Sequence, residues 1–482
     1  MTALDELRFC GDFFDRISIE EKRLIPHIKR FIECAIGDAE FYAAIQENAA
    51  GCGPLLQSRR IFGVDPAQIA AILPEQHFLK EVPALDLEDK PQALLWRRYI
   101  ADAIDRFREA LRKRGENTPS NRFNAWHRRQ VDRCCSQLGK ERNNIIIHAT
   151  IAFELSKGCS IGCPFCGLEA EPLKEVFMYS NENARLWQDI LDVAVERLGT
   201  TVGTGICYWA TEPSDNPDYL KFVEIFGKTT GIYPQTTTAA PLRNPAWTRE
   251  LLEFRREHVT SVDRFSILSN NTLHRVHETF SAEDLALTEL ILQHTDSLAG
   301  ARARSGRNRK ETSGSPSLDP AQDHTIACLT GYLVNMVDRS VRLISPCPPS
   351  NRWPLGYRVY AEGNFSCAAE LGDFIGETIE KCMPEQVAPD DILAFRRDLE
   401  FIPLPEKGFQ LRSQYRLHKM TGSPHLAQLG RLIAQGNLTS WRVIEELMVQ
   451  HTDILAIMSS IQRLFDQSLL EDGLSDEGLN RR

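Results

Sequence analysis

The sequence predicts an α/β fold organised as a parallel β/α barrel, and three observations carry that expectation. Between residues 143 and 347, β-branched apolar runs alternate with amphipathic stretches, the pattern of parallel strands joined by right-handed helical crossovers. A loop holding three cysteines directly follows the first run, at the strand end where a parallel barrel carries its chemistry. The flanks, 1–142 and 385–482, show helical periodicity and read as extensions of the barrel segment 143–384.

Each element has its own warrant. "NNIIIHATIAFEL" (143–155) is apolar and β-branched enough for a buried strand. In 181–198, Leu186, Ile190, Val193, Ala194 and Leu198 form one helical stripe. "GICYWATEP" (205–213) and "IYPQTTTAA" (232–240) read as strands, and Asn216-Pro217 and Asn244-Pro245 open the helices that follow. "VDRFSILS" (262–269), "TIACLTGYLVNMV" (325–337) and "SVRLISPC" (340–347) complete the strand set. Residues 297–320, rich in Gly, Ser, Arg and Pro, read as a mobile insertion. Beyond 385, "LAQLGRLIAQG", "WRVIEELMVQH" and "ILAIMSSIQRLFDQSLL" predict three amphipathic helices, a helical or winged-helix-like unit. In 97–142 an excess of Lys and Arg reads as a solvated helix face or as an attractor for an acidic leader peptide.

Composition excludes several classes. A net charge of −10 argues against nucleic acid as a partner, because phosphate-binding surfaces show a basic excess. The N-terminus carries acids where a signal peptide has a basic, then apolar, stretch, and no apolar run approaches the roughly 20 residues of a membrane span. A cytoplasmic protein without membrane contact is expected. There thiols stay reduced, so its cysteines serve as metal ligands, reactive groups or core residues rather than disulfides.

"ELSKGCSIGCPFCG" (154–167) sets Cys159, Cys163 and Cys166 together, with Phe165 before the last. Structural zinc takes four ligands, usually as two pairs, and no second pair follows: Cys207, Cys328, Cys347, Cys367 and Cys382 stand alone. Three thiolates on a four-iron cube leave one iron open for a substrate. A zinc-binding interaction protein is the distant alternative.

Cys-x3-Cys-x-aromatic-Cys resembles the signature of radical S-adenosylmethionine (SAM) enzymes. That resemblance implies a partial (β/α)6 barrel, one 4Fe–4S cluster, SAM bound at its open iron, and an external electron donor of flavodoxin or ferredoxin type. By the same likeness Phe165 walls the adenine. Glu212, ending "WATEP", stands where this family carries a Gly-Gly-Glu-like motif for the SAM ammonium, although Ala210 and Thr211 replace the glycines. Arg264 and Ser266 share one strand face and suit SAM's carboxylate and ribose, with a salt-bridged arginine as the plainer reading of Arg264.

"WATEPSDNPDY" (209–219) and "GYLVNMVDRSVRLISPCPPSNRWPLGYRVY" (331–360) are similar to the epimerases that mature ribosomally made peptides of proteusin type. The likeness implies inversion of L- to D-residues in a precursor peptide with a leader: a Cα hydrogen is abstracted, and a thiol returns one from the opposite face. Cys347, fixed among Pro346, Pro348 and Pro349, is the favoured donor, and Cys367 the alternative. A radical SAM maturase forming thioether or C–C crosslinks is the competing enzyme reading.

Overall fold

The computed structural model describes residues 13–73, 87–298, 302–312, 328–405, 407–449 and 453–472. Among the described residues the chain up to Leu138 is mainly helical. A Ser18–Glu21 capping box starts helix α1 (Ile19–Gly37), whose Ile25, Ile28, Phe31 and Ile32 share a core with α2 (Arg106–Gly115). Helix α3 (Asn121–Leu138) sets Phe123 and Trp126 into the main core. The basic excess of 97–142 works inward as well as outward. Arg114 donates to the carbonyls of Thr200 and Thr230, Arg129 to Pro384, and Arg133 to Leu470, fastening the helices to their neighbours.

The first strand, β1 (Ala149–Glu154), is fully buried but starts later than the apolar run. Residues Lys140–Asn144 are helical, and His148 adopts φ = 54°, a left-handed geometry that interrupts an extended chain. The chain then alternates: α4 (Asn181–Leu198), α5 (Tyr219–Thr230), β2 (Thr237–Thr238), α6 (Pro245–Glu257), β3 (Asp263–Ile267), α7 (Asn270–Thr279), β4 (Thr288–Leu292) and β5 (Leu329–Asn335). Ser180, Asn244 and Ser269 cap α4, α6 and α7 with side-chain oxygens. β6 (Ser340–Pro346), β7 (Tyr357–Asn364) and α8 (Ala368–Cys382) follow.

Two sheets result. β2, β3 and β4 are parallel, and β1 pairs in parallel with β5, which continues antiparallel into β6 and β7. The expected strand 205–213 meets β1 through one parallel bridge, Ala152 to Ile206. The fold is therefore mixed α/β with parallel strands, but the strands of the described residues do not join into one six-stranded ladder. Local chemistry explains the gap. A 3-10 helix occupies Gly199–Thr204, and Pro234 removes a ladder donor from the run in which only β2 pairs. Aliphatic and aromatic side chains from β1, β3, α4, α5 and α8 fill the layer between strands and helices.

Past 385, the three expected helices are present as Leu426–Ala434, Ser440–Met448 and Ile454–Asp466. Helical periodicity did not disclose the antiparallel meander ahead of them: β8 (Glu400–Leu404), β9 (Gly408–Arg412) and β10 (Leu417–Thr421). Phe409 and Leu411 pack against Leu429, Val443 and Ile457 to give this unit its own core. Asp472 ties it to the barrel segment, accepting from Tyr360 Oη at 2.6 Å and Arg358 Nη1 at 2.9 Å. Burial opposes its charge, yet Arg133 and Arg358 hold this carboxyl far below the usual range. No helix among the described residues is long and apolar enough to cross a membrane.

Candidate functional site

The cysteine loop leaves the C-terminal end of β1 and doubles back through a two-residue hairpin, Ser156–Lys157 against Glu175–Val176. Gly158 takes φ = 84°, and a Cβ there would lie 2.3 Å from the Pro172 carbonyl oxygen, so only glycine fits this crossing. Cys159, Cys163 and Cys166 are all partly exposed, unlike the buried Cys34, Cys134 and Cys207. Burial pushes the Cys159 thiol up to about 11, while backbone N–H groups of Ile161 and Gly162 donate toward its sulfur and pull the other way. Burial and the adjacent Cys166 raise Cys163, and Arg307 opposes them.

The loop is held from three sides. Asp215 accepts from Ser160 N at 3.0 Å and from Arg243 Nη2 at 2.8 Å, and Arg243 also reaches Ser160 and Ser214. Glu212 caps the Pro213–Asp215 turn. Its Oε1 accepts from Ser214 N, Ser214 Oγ and Thr238 Oγ1, and its Oε2 from Ala239 N at 2.8 Å. The third side is the arginine-rich stretch expected to be mobile, of which Arg302, Ser305 and Arg307 meet the loop. Arg307 donates from Nη1 to Cys163 O at 2.8 Å and from Nη2 to Ala170 O, while its backbone N–H meets Cys166 O at 3.0 Å. Ser305 Oγ donates to Gly167 O, and the Arg302 guanidinium lies 3.8 Å from the Phe165 ring centroid. Arginines that suggest a solvated linker find carbonyls instead. The rest of 297–320, apart from 297 and 298, lies outside the described residues.

Sequence reasoning missed Glu154, the last residue of β1. Its Oε1 accepts from Ala210 N at 2.9 Å and its Oε2 from Asn335 Nδ2 at 3.0 Å; burial raises its carboxyl. A carboxylate closing an otherwise apolar strand was the available signal.

The expected residues do not all converge. Phe165 and Glu212 stand with the three cysteines. Arg264 lies near the start of β3, its Nε on Glu289 at 3.0 Å, and lines a cavity at the strands' N-terminal ends. It is the salt-bridged arginine, away from the cysteine loop. Ser266, two residues further along, is buried. Cys347 follows β6, which runs antiparallel to β5, and so reaches the end of the sheet opposite the cysteine loop. It is buried next to Arg358, with Cys134 and Arg133 of α3 close by, and burial pushes its thiol up to about 11. Pro346 and its neighbours thus fix a core thiol. Cys367 follows β7, whose last residue pairs with Ser340, beside the β5 end that pairs with Glu154. It is exposed, N-caps α8, and lies at the cysteine-loop end.

The donor set suits a 4Fe–4S cluster: three soft thiols on one short loop, N–H groups directed at the Cys159 sulfur, and no fourth cysteine of the described residues on that loop. Among the described residues no three His, Cys, Asp or Glu side chains already stand in metal-holding geometry, so the fit rests on donor chemistry and loop path.

These features define a mixed α/β protein with a triple-cysteine loop at a strand end. The chain belongs to the family of the uncharacterized protein y4wI of Sinorhizobium fredii, with which it is 38% identical over 475 residues, covering 97% of this chain and 91% of the relative. No family model matches the sequence. Among solved structures, BtrN in complex with AdoMet and 2-DOIA aligns at TM-score 0.28 and 13% identity over 40% of this chain and 71% of BtrN, a likeness too weak to bear on fold or chemistry.

Proposed function

We propose that the chain is a radical SAM peptide epimerase, converting L- to D-residues in a ribosomally made precursor. The observation that carries this reading is the Cys159, Cys163, Cys166 loop, open to solvent at a strand end and clamped by Asp215, Arg243 and Arg307. Bound there, a 4Fe–4S cluster with SAM would supply the adenosyl radical that removes a Cα hydrogen. The chain's own residues do the rest. Glu212, buried and accepting a single bond on Oε2, would turn that oxygen to the SAM ammonium, and Phe165, backed by Arg302, would offer its other face to the adenine.

Strand polarity favours Cys367 over Cys347 as hydrogen donor. Cys367 gives its S–H hydrogen to the planar Cα radical and is left as a thiyl. An external flavodoxin- or ferredoxin-type donor supplies the electron, and water the proton, that restore it.

The C-terminal unit supports a peptide partner. Pro403 blunts the β8 edge, whereas β10 has no strand paired on its outer side among the described residues and leaves Leu417 exposed, suited to a leader peptide adding as a strand. The test is co-expression with a precursor peptide in deuterium oxide, followed by mass analysis and chiral chromatography. Inverted residues should each carry a solvent deuteron. A product that has permanently lost hydrogen would instead identify a crosslinking maturase.

A further inference from the structure

A cavity of about 290 Å³ lies at the N-terminal ends of the strands, remote from the cysteine loop. Phe107 and Leu111 of α2, with Ile147, Ile206, Ile232 and Ile291, make its walls largely aliphatic. Well-packed interiors leave few voids much larger than a water molecule, whereas ligand sites combine apolar walls with a few placed polar groups.

Those polar groups are nearly all engaged. Tyr208 Oη donates to Gln235 Oε1, and Gln235 Nε2 donates to Val262 O. Glu289 accepts from Arg108 Nη2 on one oxygen and from Arg264 Nε on the other. Glu289 thus bridges the two guanidiniums, and Asp105 gives Arg108 a second carboxylate at 3.5 Å, so Arg108 is fully occupied. Arg264 is the exception. Its Nη1 and Nη2 donate to no described residue, and its side chain remains 28% exposed where it lines the cavity.

We propose that this cavity binds an apolar monocarboxylate of roughly ten non-hydrogen atoms, its head on the Arg264 fork and its tail among the aliphatic walls. A guanidinium fork matches a carboxylate in two parallel hydrogen bonds, and the walls favour an alkyl body over a compact, strongly hydrated anion. The inference is independent of the radical SAM reading, since no cysteine of the loop takes part.

Octanoate titrated calorimetrically into the iron-loaded protein tests it, with octylamine as the cationic control. One octanoate per chain should bind, octylamine should not, and protein purified without iron should behave the same way. Arg264→Met should weaken octanoate at least tenfold. Ile147→Trp, which fills the cavity and leaves the head site intact, should do likewise. Absence of octanoate binding to the wild-type chain, or equal binding to Arg264→Met, overturns the proposal. Should Arg264→Met not fold, Ile147→Trp decides, and undiminished binding there counts against it.

Discussion

The Arg307 guanidinium donates to the backbone carbonyl of Cys163 at 2.8 Å, while the same residue's own N–H reaches the carbonyl of Cys166 at 3.0 Å. One arginine from the inserted stretch therefore fixes the backbone of two of the three loop cysteines. Gly306 makes this approach possible: at φ = 55°, a Cβ would lie 2.6 Å from Gly167 O. Arg307→Met deletes the side-chain bonds to Cys163 and Ala170, and the segment should lose about 1–3 kcal/mol of local stability. Hydrogen exchange across 158–170 should quicken with the remainder unchanged. Unaltered exchange there would mean the arginine merely rests on the loop.

Iron loading addresses the cluster. Anaerobically reconstituted protein should be brown, hold about four irons and form deoxyadenosine from SAM under strong reductant. Replacing Cys159, Cys163 and Cys166 by Ala should abolish colour and turnover together. SAM cleavage surviving in the triple variant would remove the basis of the functional reading.

The two donor thiols separate cleanly. Cys367→Ala should still consume SAM in the presence of peptide but make no D-residues. Cys347→Ala, emptying a buried site beside Arg358, should lower stability while keeping inversion. The opposite pattern would return the donor role to Cys347.

Glu212→Gln puts an amide among Ser214, Thr238 and Ala239, all of which donate to the present carboxylate. At least one donor must then face another, at a cost of about 1–3 kcal/mol in urea denaturation. SAM affinity measured on the folded variant should also fall. Unchanged affinity would reduce Glu212 to a clasp between strand ends.

Acid sensitivity should centre on two histidines. Burial lowers His127 to about 4 and His148 to about 3, and their rings bond His148 O, Asn143 and Thr330. The unfolded chain takes up these protons near pH 6.5 and the folded one only at the lower values. Stability is thus complete above about 6.5 and lost as pH falls, by about 2 kcal/mol per histidine at pH 5. His127→Gln keeps a donor for His148 O and should flatten this dependence. An equal slope in wild type and variant would assign it to other groups.

The sequence discloses alternation and spacing more readily than depth. Period two correctly groups Val341, Leu343, Ser345 and Cys347 on one face, and Arg264 with Ser266 on another. It cannot say which layer covers a face. Gln130 and Arg133 of α3 supply the surroundings of Ser345 and Cys347 from more than two hundred positions away. Nor does it tell which end of a strand a residue reaches, and Arg264 turns on that. The meander of β8, β9 and β10 went unread because its five-residue strands, one with Pro403, lack sustained alternation.

The pairing of β1 with β5 has a consequence for how the chain is made. A ribosome releases Ala149–Glu154 long before it has synthesised Leu329–Asn335, and until then one side of β1 has no partner. Closing so distant a contact is slow, and an unpaired apolar strand invites association with other nascent chains. Fragments ending before residue 335 should therefore accumulate as aggregates, and slowing synthesis by cooling the host should not rescue them, because what they lack is a neighbour rather than time.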